Sequence, residues 1–157
     1  MLKETGFRHD RVRDRFEAAF SSRGVDPTRV EMRGFSPRVE HIASYNDIDV
    51  QLDPMPQGGG QTSLEALYMG VPTVTLLGER IGGRATASAV TAIGRPEWVA
   101  TSAEEYVALA GRVAEQGGPE LRERLLASPI CDDVERTRAF ESAVRTLWRD
   151  YCTKEAV

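Results

Sequence analysis

The stretch Leu52-Asp53-Pro54-Met55-Pro56-Gln57-Gly58-Gly59-Gly60-Gln61-Thr62-Ser63-Leu64-Glu65-Ala66-Leu67 decides the fold. It is entered from Ile48-Asp49-Val50-Gln51-Leu52, which reads as a strand halted by Asp53-Pro54. The loop, rich in proline and glycine, opens into a helix over 62–69, with Gly70 in the C-cap position. Residues 72–77 then form a second strand, β-branched and nearly all apolar, as expected where both faces of a sheet are covered. Strand, loop, helix and strand in that order make a βαβ unit, whose strands run parallel.

Outward from this unit the same alternation continues. Upstream, residues 7–23 place Val12, Phe16, Ala19 and Phe20 on one helical face, opposite Arg11, Arg13 and Asp14. Gly24 follows as a C-cap, and Asp26-Pro27 forbids continuation. A strand is predicted over 29–35 and a short helix over 38–45. Downstream, a helix over 84–93 closes at Gly94, and a strand follows over 97–100. Ser102-Ala103-Glu104-Glu105 is a capping box for a helix running to about residue 115. Pro119 opens another helix to residue 127. A closing helix spans about 132–152, with Phe140, Val144, Leu147, Trp148 and Tyr151 on one face. The fold class is therefore α/β, a Rossmann-like parallel sheet flanked by helices. It is read as a single domain over 1–157, with core motifs in 29–100 and C-terminal helices in 102–152. No strand is expected before the first helix, so the opening strand or strands of the domain are expected upstream and the domain is read as truncated.

Composition narrows the function. At 157 residues there is room for one ordinary domain. Twenty basic against twenty-four acidic side chains leave a net charge of −4, which argues against bulk nucleic-acid binding or a polybasic membrane surface. The longest apolar runs, such as 71–77, fall far short of the roughly 20 residues of a membrane span. Met1-Leu2-Lys3-Glu4 turns charged at once, so no secretory signal is seen and a cytoplasmic location is expected. Cys131 and Cys152 form neither a disulfide framework nor a zinc spacing, and two histidines exclude a multi-histidine metal site.

A strand, a glycine loop and a helix N-terminus make a natural anion site. The first N–H groups of a helix lack internal partners, and the dipole there carries roughly half a positive charge. Thr62 and Ser63 offer hydroxyls and Gln61 an amide. A P-loop is excluded because Gln61 stands where that motif needs lysine. A dinucleotide fingerprint is nearly met by Gly58, Gly60 and Ser63 with Glu79 as the ribose acid, but Pro54 and Pro56 lengthen a turn that should be tight. The third scheme is the donor site of a nucleotide-sugar glycosyltransferase, in which Glu65, one turn into the helix, holds the ribose hydroxyls. As a solvated first-turn charge, Glu65 would equally suit the helix dipole.

Five blocks in register, Phe35-Ser36-Pro37-Arg38-Val39-Glu40-His41, Asp49-Val50-Gln51-Leu52-Asp53-Pro54, Gly58-Gly59-Gly60-Gln61-Thr62-Ser63-Leu64-Glu65-Ala66-Leu67, Gly70-Val71-Pro72-Thr73-Val74-Thr75-Leu76 and Gly78-Glu79 with Arg84 and Ser88, resemble the O-GlcNAc transferase and SPINDLY-like glycosyltransferases. The resemblance covers roughly residues 29–100. It implies the C-terminal, donor-binding half of a two-domain GT-B enzyme that transfers a sugar from a UDP-sugar, typically UDP-GlcNAc, to protein Ser or Thr hydroxyls by inversion, without a metal or other cofactor. The implied partners are the nucleotide-sugar donor, the acceptor protein, and the N-terminal catalytic half and helical-repeat region of the same enzyme. By the resemblance His41 packs on the uracil and Arg38 lies near the base. Gly59, Gly60, Gln61 and Thr62 embrace the diphosphate and stabilise the leaving group, and Glu65 meets the ribose. No catalytic residue proper is expected in this segment, and the segment alone is expected to be inactive.

The sequence departs from the family where Gly60 replaces a frequent His, Gln61 a second Thr, and Ser44 or a neighbour a basic residue. SPINDLY-like relatives can use fucose from GDP, so the motifs leave the sugar open. Two other readings stand beside this one: a stand-alone nucleotide-binding or interaction module without catalysis, and a Rossmann-like dinucleotide-binding domain. Among other residues, His9 is read as solvated, Arg84 as a brace of the loop after the 72–77 strand, and Trp148 and Tyr151 as packing. In the GT-B family the last helix leans on the N-terminal half, so its apolar stripe is expected to be partly exposed here and to favour self-association.

Overall fold

The computed structural model describes residues 1–155. They divide into two compact units, the first Met1–Ile48 and the second from Asp49 onward.

In the first unit, β1 (Leu2–Lys3) pairs in parallel with β2 (Met32–Arg33), Leu2 opposite Met32. A strand therefore does precede the first helix, contrary to expectation. A two-residue strand carries no readable period, so its existence depends on the partner 30 residues on. Between the strands lie a 3-10 turn (Thr5–Arg8) and α1 (Asp10–Ser21). Phe7 is buried and meets the Phe16 ring edge-on at 5.1 Å. Gly24 follows α1 at φ +75°, a conformation glycine adopts without a Cβ penalty. α2 (Arg38–Ala43) is entered from Pro37 and continues into a 3-10 turn over Ser44–Asp47.

In the second unit, β3 (Gln51–Leu52), β4 (Thr73–Leu76) and β5 (Val99–Ala100) form a parallel sheet in the order β3-β4-β5. The central strand β4 is buried at Thr73, Val74 and Thr75, which is the physical meaning of its apolar, β-branched run. Around it are α3 (Gln61–Tyr68), α4 (Ala85–Ala92), α5 (Ala103–Val113) and α6 (Pro119–Leu126). Gly70 and Gly94 close α3 and α4 at φ +82° and +75°. Ser102 caps α5 by accepting the Glu105 N–H at 3.2 Å, while Glu105 reaches back one residue further than a capping box requires, to the Thr101 N–H. Leu67, Val74, Val90, Trp98, Leu109, Val113, Leu121 and Leu125 form one core, sealed where the buried Trp98 donates its indole N–H to Gln116 Oε1 at 3.1 Å.

The chain closes with α7 (Asp133–Glu155). Its stripe of Phe140, Val144, Leu147, Trp148 and Tyr151 is exposed, with Trp148 stacked on Tyr151 at 5.8 Å. Cys131 and Cys152 are free thiols. Among the described residues no helix is long and apolar enough to cross a membrane.

Because Trp98 fills the core with its polar edge satisfied, Trp98→Ala leaves a large cavity and an unmatched Gln116. It should lower stability by about 3–5 kcal/mol in urea unfolding, whereas Trp148→Ala should change it by less than about 0.5 kcal/mol.

Candidate functional site

In parallel sheets the loops leaving the carboxyl ends of the strands are where ligands collect. Here two such loops lie together: the proline–glycine loop after β3 and the loop after β4. The Gly58 N–H donates to Gly82 O at 3.2 Å, and Gly78 and Gly83 pack backbone to backbone. A cavity of about 800 Å3 opens between them, with Asp53, Met55, Gln57, Leu77, Glu79 and Arg80 in its wall. Arg84 braces the second loop as expected, its Nε donating to Gly78 O at 2.8 Å.

The glycine loop is organised from beneath by Asp53, which its place before Pro54 marks only as a strand terminator. Asp53 is buried, its Oδ1 accepts the Gly59 N–H at 2.5 Å, and its Oδ2 accepts the Thr75 hydroxyl at 2.8 Å. Its carbonyl accepts the Tyr106 hydroxyl at 2.9 Å. A second buried hydroxyl, Thr86 Oγ1, donates to Gly59 O at 3.2 Å and shares a hydrogen bond with Ser63 Oγ at 2.9 Å. The one local signal was an Asp directly after a strand and before Pro. Nothing nearby in sequence points to its partners Thr75 and Tyr106, which lie 22 and 53 residues away.

These contacts sort the expected anion donors. The Gly59 N–H is taken up by Asp53, so Gly59 serves the loop's own structure. Ser63, expected to offer its hydroxyl, is fully buried and bonded to Thr86. Gly60, Gln61 and Thr62 stand exposed at the start of α3, with Gly60 as N-cap and the first helical bond running from the Leu64 N–H to Gly60 O. A Cβ at Gly60 would meet nothing within 4 Å, whereas one at Gly59 would fall 2.6 Å from Ser63 Oγ. Glu65 is buried rather than solvated, and the Gln61 side-chain amide donates to its Oε1 at 2.9 Å. The Gln61 side chain thus turns along the helix toward the carboxylate, leaving its backbone N–H as its contribution to the loop.

In the first unit, Arg38 and His41 come together at the wall of a cavity of about 420 Å3, beside Phe35 and Ser36. The His41 ring meets Tyr45 edge-on at 5.5 Å. Lys3 donates to Ser36 Oγ at 2.7 Å and to Gly34 O, tying β1 to this cavity.

Residues 11–133 match glycosyl transferase family 41. The chain belongs to that family. Similar proteins include the rice probable UDP-N-acetylglucosamine–peptide N-acetylglucosaminyltransferase SPINDLY, 35% identical across 94% of this chain and 17% of the rice protein. The Caenorhabditis elegans UDP-N-acetylglucosamine–peptide N-acetylglucosaminyltransferase is 28% identical across 82% of this chain and 12% of its own length. Among solved structures, a Thermobaculum terrenum O-GlcNAc transferase point mutant aligns with a TM-score of 0.84 and 39% identity, over 98% of this chain and 31% of that one. The chain thus spans about a sixth of the curated relatives it matches and about a third of the solved one. This family 41 segment is α/β with parallel strands, as the resemblance implied.

Burial, first, and the Asp53 carboxylate, second, push the Tyr106 phenol above its ordinary value. The folded segment therefore holds this proton more tightly than the unfolded chain. The linked stability is complete below about pH 10 and is lost as pH rises through the folded-state value. Tyr106→Phe should remove the late step from the tyrosinate absorbance titration and cost about 1 kcal/mol at neutral pH through its bond to Asp53 O.

Proposed function

We propose that this family 41 segment is the donor-binding part of an inverting, metal-independent protein O-glycosyltransferase, with UDP-GlcNAc as donor and protein Ser or Thr hydroxyls as acceptors. The observation that carries the proposal is the exposed Gly60-Gln61-Thr62 entry to α3, presented at the carboxyl edge of the sheet with the buried Glu65 one turn behind it. In the second unit the backbone N–H groups of this entry would receive the diphosphate, and Glu65 the ribose hydroxyls. In the first unit Arg38 and His41 would meet the base, as the resemblance implies. What the relatives' names say of UDP-N-acetylglucosamine and peptide transfer supports the same reading.

The chemistry follows from where charge develops. As an acceptor oxygen attacks the anomeric carbon, the bond to the diphosphate breaks and negative charge grows on the departing phosphate oxygen. N–H dipoles already aimed at that oxygen need no reorganisation, so they stabilise the transition state more than the ground state. Gly60, Gln61 and Thr62 are assigned this role, with Gly59 holding the loop. The proposal places the remaining catalytic groups, including a phosphate-binding lysine, in the N-terminal half of the enzyme, and it takes transfer by the 157-residue chain alone to be absent. The apolar stripe of α7 is assigned to packing on that half.

Titration calorimetry should show binding of UDP and UDP-GlcNAc, undiminished by a chelator, and none of NAD. Binding of NAD in place of UDP would transfer the site to the dinucleotide reading. Glu65→Ala should weaken UDP by about 1–3 kcal/mol if its carboxylate bonds the ribose. Sedimentation of the isolated chain should show concentration-dependent association that Trp148→Glu abolishes.

A further inference from the structure

A carboxylate beside a diphosphate site is electrostatically unwelcome, so its presence there requires a reason. Asp53 is 3% exposed, and a buried charge is tolerated only when donors replace its water. Two do so, the Gly59 N–H at 2.5 Å and the Thr75 hydroxyl at 2.8 Å, and both turn the carboxylate toward the underside of the loop. The Gly59 residue is held at both ends, its N–H by Asp53 and its carbonyl by the buried Thr86 hydroxyl. The fit behind the loop is tight: a Cβ at Gly58 would lie 2.6 Å from Asp53 Oδ2, and one at Gly59 3.1 Å from Oδ1. One residue further on, Gly60 has open space around it and adopts φ −140°, ψ −88° as the N-cap of α3.

The loop is therefore pinned on the sheet side and open on the other. We infer that Asp53 is a positioning residue for the anion site. Through the Gly59 amide it sets the direction in which the N–H groups of Gly60, Gln61 and Thr62 face a nucleoside diphosphate. This inference rests on the diphosphate reading of the loop given above. Asp53 itself need not touch the ligand. What the role requires is an acceptor at the Oδ1 position, and the negative charge is dispensable.

That distinction makes the inference testable on the full 157-residue chain labelled with 15N. Asp53→Ala should weaken UDP about tenfold, while Asp53→Asn, which keeps an oxygen for the Gly59 N–H and an amide facing Thr75, should stay within about threefold of the native chain. Circular dichroism and thermal melts would confirm that each variant is folded at the temperature of titration. A folded Asp53→Ala chain with native affinity overturns the inference, and so does an Asp53→Asn chain as weak as Asp53→Ala. The amide resonances give a readout without ligand. Those of Gly59, Gly60, Gln61 and Thr62 should move in Asp53→Ala and return in Asp53→Asn, whereas their staying in place in Asp53→Ala overturns the inference. If native chain fails to bind UDP, the diphosphate reading falls, and the resonances alone decide the positioning role. Should Asp53→Ala not fold, Thr86→Val, which releases the other end of Gly59, should weaken UDP at least about fivefold, and native affinity in that variant overturns the inference.

Discussion

A carboxylate removed from water must be given donors, and in this protein that requirement organises the ligand edge of the sheet. Asp53 stands at the end of β3, where the chain leaves the sheet. Its donors come from the next strand, at Thr75, and from the loop it has just launched, at Gly59. Its carbonyl receives Tyr106 from α5. One residue thereby ties the β3–β4 pair, the glycine loop and a covering helix together. The hydroxyls of Thr86 and Ser63 extend the same buried network to α4 and α3. Every member is satisfied, which is the condition under which a polar network inside a protein specifies one arrangement.

The consequence for electrostatics, on the proposed reading, is that an anion at the head of α3 would be held by backbone groups rather than by side-chain charge on that helix. The chain carries a net charge of −4, and the first turn of α3 contains no basic residue. Peptide dipoles at the helix start supply the positive potential instead, and such dipoles act at short range and only when correctly aimed. A site of this kind depends on rigidity more than on composition. That is why glycine is needed at positions 58 and 59, where a Cβ would strike Asp53, Thr62 or Ser63.

Much of the fold was legible because its signals are local. Gly24, Gly70 and Gly94 mark helix ends in the sequence, and each has the positive φ that makes glycine the favoured residue there. Ser102 was read as a cap and accepts the Glu105 N–H. The run 72–77 has the pattern of a fully covered strand, and within it Thr73–Leu76 is the central strand of the sheet, buried at its first three residues. The strand Leu2–Lys3 was not legible, since two residues hold no period and only Met32–Arg33 makes them a strand. The division near residue 48 is a property of contacts, which no local pattern in the sequence displays.

The sequence by itself determined the order of strands and helices from α1 onward and the glycine loop at the head of α3, and its motif blocks carried the resemblance to the family. The elements and the loop rest on spacing and on backbone preferences that act within a few residues, whereas the family rests on the resemblance of whole motif blocks. Tertiary structure alone decided which loop groups face inward. It gave Asp53 the Thr75 hydroxyl and Ser63 the Thr86 hydroxyl, buried Glu65, and left the stripe of α7 exposed. Thr75 lies 22 residues from Asp53, Tyr106 53, and Thr86 23 residues from Ser63. Hydrogen bonds of that reach exist only once the sheet has brought their partners together, so no local pattern could announce them.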